Sequence, residues 1–180
     1  SSKRLVDTYA PYALAGIPIV GLEPSCLFAL KDELPSLLKT KEARAVAEQA
    51  LTFEELLIQD NAKLILKPLR AKALLHGHCH QKAYDAMAPV EAVLKMIDGL
   101  EVSTIETSCC GMAGAFGYGK DTYDVSQKMA EADLLPKVRS APEDTIIIAD
   151  GTSCRSQIKD GTQRSAVHVA RLLDQQLQDH

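Results

Sequence analysis

The sequence predicts an α/β fold, in which a mainly parallel sheet is flanked by helices. Two observations carry this prediction. Short apolar runs bounded by Gly and Pro alternate along the chain with amphipathic segments of helical period. The 180 residues are 46% hydrophobic and 24% charged, which is the composition of a globular protein. Because sites in such folds form at the carboxyl ends of the strands, we expect functional side chains just after them.

The individual elements follow from local pattern. Apolar or β-branched runs predict strands at 17–22, 73–77, 101–106 and 145–149. Apolar recurrence at helical spacing predicts helices at 3–15, 27–38, 41–59, 81–97, 121–138 and 165–177. Gly16 is expected to end the first helix and Gly99 the fourth. Pro35 and Pro89 are each expected to begin or kink a helix.

Five cysteines are the most informative residues of the chain. They are Cys26, Cys79, Cys109, Cys110 and Cys154. Their number is odd, two are adjacent, and the acidic chain begins without a secretory signal, so metal binding or redox chemistry is favoured over a disulfide scaffold. Cys26, Cys79 and Cys154 directly follow predicted strands, and the adjacent pair lies three residues past a fourth. We therefore expect them to meet at one sheet edge.

Composition and charge exclude several classes of function. A net charge of -4 argues against a nucleic-acid partner. No apolar run approaches the ~20 residues that a membrane span needs, so the chain is not expected to be transmembrane. No Ser-His-Asp set or phosphate-binding loop is present, and we predict no catalytic residue in this chain. We expect a cytoplasmic protein that reaches a membrane only through partners.

An internal repeat is centred on two of the cysteines. Ser25-Cys26 and Ser153-Cys154 lie 128 residues apart, each follows an apolar strand, and a Lys-Asp pair begins five residues after each cysteine. The prediction is a pseudo-repeated unit whose first copy is truncated: 1–60 is the C-terminal part of a first copy, 61–72 a linker and 73–180 a complete second copy. The chain is then expected to be a piece of a longer polypeptide.

The spacing inside the second copy favours a metal site. Cys79 is followed after 29 residues by Cys109-Cys110-Gly111, and after 42 more by Cys154. Thiolates are soft ligands that suit iron–sulfur clusters, zinc or copper(I). Gly111 supplies the backbone freedom for a turn that lets neighbouring cysteines face one site. In an extended chain His76, His78 and His80 would share one face and Cys79 the other, so the histidines are alternative ligands for a Cys/His zinc site, although a place beside the ligands is favoured for them.

These residues carry a resemblance to a known family. The segments around Cys79, Cys109-Cys110-Gly111 and Cys154 resemble the cysteine-rich CCG domain. That domain occurs, usually as two copies, in the glycolate oxidase iron–sulfur subunit, the B subunit of heterodisulfide reductase and the C subunit of anaerobic glycerol-3-phosphate dehydrogenase. The similarity is greatest to the C-terminal region of FAD-linked D-2-hydroxy acid oxidases. Gly151 and Glu23 depart from the family pattern, since each stands where the first residue of a Cys-x-x-Cys pair would be.

The resemblance implies an iron–sulfur electron-transfer module of an FAD-dependent oxidoreductase acting on a D-lactate- or D-2-hydroxyglutarate-like substrate. Cys79, Cys109, Cys110 and Cys154 would bind a 4Fe-4S cluster, and Cys26 would be the last ligand of the first copy. His78, His80 and Gly111 are expected beside the ligands, with His80 favoured for acid–base or redox tuning. FAD would lie in a partner dehydrogenase domain or subunit outside this chain. This chain is not expected to be active alone. A further protein or cofactor would be the electron acceptor.

Two other functions fit the same cysteines. A structural zinc-binding or interaction domain would hold zinc without redox activity. A thiol–disulfide enzyme would instead expose a low-pKa pair near Cys109 and Cys110.

Overall fold

A computed structural model describes residues 2–107 and 109–178. The chain divides into two compact units, residues 1–60 and 61–180. Each unit contains its own sheet, in which all strand pairs are parallel, with helices around it. The predicted α/β class is therefore confirmed. Within the described ranges, no helix has the length and apolar character required to cross a bilayer.

The first unit is built on a two-stranded sheet. Strand β1 (Ile19–Gly21) pairs with β2 (Ala50–Thr52). The helices of this unit are α1 (Ser2–Leu14), α2 (Pro24–Phe28), α3 (Leu34–Leu38), α4 (Lys41–Gln49) and α5 (Phe53–Gln59), with a π-helical turn at Ala29–Glu33. The core joins α1, α3 and α4 through Val6, Ala10, Ala13, Leu34, Ala43 and Val46.

Two predicted helices of the first unit are interrupted, and each interruption has a local cause. The helix predicted over 41–59 is broken by β2, because Thr52 begins a new helix through a capping box with Glu55. The Thr52 hydroxyl accepts from the Glu55 amide at 3.1 Å, and the Glu55 carboxylate accepts from the Thr52 amide at 2.7 Å. The helix predicted over 27–38 starts earlier, at Pro24, and changes to π geometry ahead of Pro35, which has no amide proton to donate to Lys31.

The second unit is built on a four-stranded sheet with strand order β4-β3-β5-β6. The strands are β3 (Ala71–His76), β4 (Leu100–Thr104), β5 (Ile146–Ala149) and β6 (Ala166–Val167). Its helices are α6 (Cys79–Ala83), α7 (Met87–Leu94), α8 (Tyr123–Ala132), α9 (Leu134–Ser140), α10 (Thr152–Thr162) and α11 (Val169–Gln176), with a 3₁₀ turn at Phe116–Tyr118.

Prolines explain why two predicted helices of this unit are also split. The helix predicted over 81–97 breaks at Asp85, which adopts a left-handed φ of 56°. Pro89 has no N–H and cannot donate the helical hydrogen bond to the Asp85 carbonyl. The helix predicted over 121–138 likewise breaks at Asp133, three residues before Pro136. The last predicted helix starts only at Val169, because β6 occupies part of the predicted range.

A buried cluster fixes the position of β5 against the helices. Ile147 and Ala149 pack with Leu134, Leu135 and Ile158, and none of these side chains is more than 2% exposed. Full burial of one such aliphatic side chain stabilises a fold by about 1.5–3 kcal/mol. The carboxyl end of β5, from which α10 starts, is therefore held by a fully buried cluster.

The two Ser-Cys segments have the same local structure. The last residue of β5 lies 128 residues after the last residue of β1, and α10 starts 128 residues after α2. Cys26 and Cys154 are each the third residue of the helix that follows. This agreement is confined to one strand–helix segment, so the complete repeat and its boundaries stay a prediction.

Candidate metal centre

Four cysteines lie at the carboxyl edge of the four-stranded sheet. Cys79 opens α6 three residues after β3, Cys109 and Cys110 follow β4, and Cys154 follows β5. These three strands are adjacent, in the order β4-β3-β5. The expected convergence thus holds for these four. It is wrong for Cys26, because β1 belongs to the separate two-stranded sheet of the first unit.

The four thiols contact one another as a group. The Sγ atoms of Cys110 and Cys154 are 3.4 Å apart, and both residues are buried. Cys109 makes hydrogen bonds with Cys110 on one side and Cys79 on the other. Cys79 and Cys109 are partly exposed, so the group extends from the interior to the surface. All four are free thiols, as is Cys26, which is exposed.

The thiols divide into two kinds by pKa. Hydrogen bonding with Cys110 and with Cys79 lowers the pKa of Cys109, and hydrogen bonding with Cys110 lowers the pKa of Cys154 to about 5. The donors show the opposite change: hydrogen bonding to Cys109 raises the pKa of both Cys79 and Cys110, and burial adds to it. In the metal-free protein at neutral pH, two thiolates are therefore each stabilised by a neighbouring thiol.

Helix and loop backbone groups also favour thiolate at this edge. Cys154 lies in the first turn of the eleven-residue helix α10, whose N-terminal end carries partial positive charge. The Gly111 amide donates to the Cys109 sulfur at 3.3 Å. Gly111 has a φ of 88°, the left-handed conformation that the sequence predicted for a turn after the paired cysteines.

Three side chains fix the loop that carries Cys109 and Cys110. The Gln157 amide of α10 donates to the Cys110 carbonyl at 3.1 Å. The Ser153 hydroxyl donates to the Gly114 carbonyl at 3.2 Å. The Lys82 ammonium of α6 donates to the Thr107 carbonyl, so one loop is tied to both cysteine-bearing helices. Burial lowers the pKa of Lys82, while the electrostatic effect of the neighbouring cysteines acts in the opposite direction.

A buried hydrogen-bond chain sets the start of α6. The side chain of Gln81 accepts from the His78 amide at 3.0 Å and donates to the Asp150 carboxylate at 2.9 Å. The other Asp150 oxygen accepts from the Val169 amide at 3.1 Å. Gln81 and Asp150 are only 1% and 2% exposed. These hydrogen bonds consequently couple the position of Cys79 to that of the end of β5.

The three histidines near Cys79 have different surroundings. His76 ends β3, so the chain does not stay extended through His80, and the predicted shared face is wrong. His78 is the N-cap of α6, where its Nδ1 accepts from the His80 amide at 3.2 Å. The rings of His78 and His80 meet edge to face with centroids 5.2 Å apart. Both lie beside Cys79, and their predicted place next to a metal ligand stays a prediction.

His76 is the site residue that sequence reasoning did not select. Its ring is 1% exposed, and in the part of the chain that the structure describes its nitrogens make no hydrogen bond of ordinary geometry, although the ring interacts with Cys154. A ring nitrogen of His76 and the sulfurs of Cys110 and Cys154 all lie within 4.8 Å of one another. The available signal was its place in the strand that leads directly to Cys79.

Gly151 allows an imidazole to approach Cys154. A Cβ at this buried position would lie 2.6 Å from Cδ2 of His78 and 3.1 Å from the Cys154 sulfur. Both values are below ordinary van der Waals contact. The absence of a side chain at 151 therefore leaves room for the His78 ring next to Cys154.

Comparison with known proteins identifies relatives among dehydrogenases. The chain is 32% identical to the C subunit of anaerobic glycerol-3-phosphate dehydrogenase from Escherichia coli K12, over 90% of this chain and 41% of that protein. It is 28% identical to D-2-hydroxyglutarate dehydrogenase of Haemophilus influenzae, over 82% of this chain and 15% of that protein. The E. coli K12 D-2-hydroxyglutarate dehydrogenase is 26% identical over 88% of this chain.

The chain spans less than half the length of each of these curated relatives. No family model matches it, and no solved structure matches it. Over most of its length the chain is thus similar to a part of two kinds of dehydrogenase, and it carries a group of cysteines and a histidine that could hold a metal.

Proposed function

We propose that the second unit binds an iron–sulfur cluster through Cys79, Cys109, Cys110 and Cys154 and passes electrons within an FAD-dependent dehydrogenase. The observation that carries this proposal is the meeting of four free thiols from three adjacent strands in one hydrogen-bonded group. Four thiolates are the usual ligand set of a 4Fe-4S cluster.

The chemistry of the residues fits such a cluster. Thiolate sulfur is the ligand that iron–sulfur clusters prefer, and Cys109 and Cys154 already have lowered pKa values. Backbone amides near the sulfurs, such as that of Gly111, tune the potential of a cluster by hydrogen bonding. The cationic Lys82 offsets negative charge that four thiolates would bring. Partial exposure of Cys79 and Cys109 leaves a side on which electrons can enter or leave.

The relatives suggest the reaction that the whole protein performs. Glycerol 3-phosphate and D-2-hydroxyglutarate, which their names specify, are both secondary alcohols. Oxidation of a secondary alcohol to a ketone releases two electrons, which a flavin takes as a pair and an iron–sulfur centre passes on singly. We infer that FAD and the substrate site lie in a partner domain or subunit, and that a D-2-hydroxy acid is the substrate class. The place of action is the cytoplasm, with membrane contact only through partners.

Cys26 is proposed as the last ligand of a corresponding site in the first copy of the unit. Its place as third residue of a helix after a strand, the same as that of Cys154, supports this role. One thiol does not hold a cluster, so the remaining ligands of that site would come from residues of a longer polypeptide.

A zinc-binding domain without redox activity is the second candidate. The observation that favours it is the tight group of His76, Cys110 and Cys154, whose donor atoms lie within 4.8 Å of one another. One cysteine more would complete a Cys₃His site, which is a common structural zinc site.

Anaerobic purification separates the two candidates. The proposal predicts a coloured protein that contains iron and acid-labile sulfide, loses its visible absorption on reduction and then gives an EPR signal. Stoichiometric zinc in a colourless protein prepared under strictly anaerobic conditions would contradict the proposal and support the zinc-binding function.

A further inference from the structure

We propose that His76 is itself a ligand of the metal centre and supplies a nitrogen donor beside the sulfurs of Cys110 and Cys154. This inference rests on the proposed function in assuming that the centre exists, and it concerns which atoms hold it. It adds a fifth residue of the second unit to the four cysteines.

The first argument is the energetic state of the His76 side chain. The ring is 1% exposed, and among residues 2–107 and 109–178 its nitrogens make no hydrogen bond of ordinary geometry, while a weaker interaction with Cys154 lowers the pKa of that thiol after the larger effect of Cys110. A buried polar atom without a partner costs about 1–3 kcal/mol, and native proteins contain few of them. A metal bound to one nitrogen would remove this cost for that atom.

The second argument is geometric. Donors to one tetrahedral metal lie roughly 3.5–4 Å apart, given metal–sulfur bonds of about 2.3 Å and metal–nitrogen bonds of about 2.0–2.1 Å. The sulfurs of Cys110 and Cys154 are 3.4 Å apart, and the nearest His76 nitrogen is within 4.8 Å of both. Shifts of about 1 Å or less, within the reach of side-chain rotation, would bring the His76 nitrogen onto a metal ion held by one of these two sulfurs.

The third argument is that the backbone holds His76 in place for this role. His76 is the last residue of the central strand β3 and is paired in register with Ala149, the last residue of β5. Cys154 follows Ala149 in the adjacent helix α10. Because two neighbouring strands end at these residues, the imidazole and the Cys154 thiol project from one rigid edge. Sites on regular elements are more precise than sites on loops.

The test is pulsed EPR on the anaerobically prepared, reduced chain grown with histidine that carries heavy-isotope nitrogen. We expect the strong hyperfine coupling of a directly bound nitrogen in the unchanged protein, its loss in His76→Gln and its retention in His168→Asn. His168 is a matched control because it is also a histidine of the second unit. It is the N-cap of α11, and Asn is a good N-cap residue. The spectrum of the unchanged protein tests the inference even if His76→Gln fails to fold.

The outcomes for the cluster and for His76 are distinguishable. Iron and sulfide with no strongly coupled nitrogen, or with only the weak coupling of a hydrogen bond, would overturn the inference and leave the proposed function standing. A chain without iron or sulfide would overturn the proposed function. The metal-free chain is then loaded with cobalt(II) alone and examined by NMR. A paramagnetically shifted imidazole signal that His76→Gln removes would support the inference, and its absence, or a failure to bind cobalt, would overturn it.

Discussion

Gly111 is the residue whose substitution most sharply tests the structure of the cysteine loop. It has a φ of 88° and is buried, and an added Cβ would overlap the Ser126 carbonyl oxygen and lie 3.0 Å from its carbon. Alanine in the left-handed conformation costs about 1–2 kcal/mol, and overlap with a backbone that cannot move adds about 1–3 kcal/mol. Reduced freedom of the unfolded chain returns about 0.4–1 kcal/mol. Gly111→Ala should therefore lower the free energy of unfolding by about 3 kcal/mol.

Gly114 provides the matched control in the same loop. Its φ is 68°, but nothing lies within 4 Å of an added Cβ, so only the conformational cost applies. Gly114→Ala should lower the free energy of unfolding by about 1 kcal/mol or less. Urea unfolding of the reduced, metal-free chain, followed by helical circular dichroism, measures both variants. Equal losses in the two variants, or a loss below about 1 kcal/mol for Gly111→Ala, would refute the steric argument.

Three further predictions concern the surroundings of the thiols. Gln81→Met removes hydrogen bonds to the His78 amide and the Asp150 carboxylate, and urea unfolding should show a free energy of unfolding lowered by about 3 kcal/mol. The control Gln175→Met, on the exposed face of α11, should change the free energy of unfolding by less than about 0.5 kcal/mol. Similar losses in the two variants would count against the buried network. Lys82→Met should make the cluster roughly tenfold harder to reduce in an anaerobic redox titration, because a positive charge near the cluster is lost. Lys82→Arg keeps the charge and should shift the reduction potential much less. An unchanged potential in Lys82→Met would show that the ammonium does not act on the cluster. For the metal-free chain at pH 7, the ultraviolet absorbance of thiolate should correspond to two thiolates in the folded state and almost none after unfolding, because the pKa values of Cys109 and Cys154 lie below the ordinary 9.0. The stability that these two thiolates contribute is then fully present above pH 9, and the contribution of Cys154 is lost as the pH falls toward 5. Equal thiolate absorbance in the folded and unfolded states would contradict this prediction.

The sequence was sufficient to predict β1, β3, β4 and β5, but not β2 and β6, and it predicted the edge at which the second unit places its cysteines. Short β-branched runs such as 145–149 have few alternative structures, and each cysteine follows such a run at a short distance. Helix continuity was harder to predict. The spacing of Val46, Ala50 and Phe53 suits a helix, yet the capping box at Thr52 and the pairing of β2 with β1 outweigh it.

The role of His76 required the fold. Alternation of His76, His78 and His80 in sequence makes the three equivalent, and nothing local distinguishes the buried one. The difference arises because β3 ends at His76 and is central in the sheet, while His78 and His80 belong to the following helix cap and helix. The pairing of β3 with β5, which is a long-range contact, brings His76 near Cys154.

The proposed cluster is tested most directly by the iron content of two cysteine variants prepared anaerobically. Cys109→Ser changes a partly exposed thiol of the proposed centre, and Cys26→Ser changes the exposed thiol of the first unit. The unchanged chain should hold about four iron ions, which Cys26→Ser should keep and Cys109→Ser should largely lose together with the visible absorption. Full iron in Cys109→Ser, or its loss in Cys26→Ser, would contradict a cluster held by the four cysteines at the carboxyl edge of the second sheet.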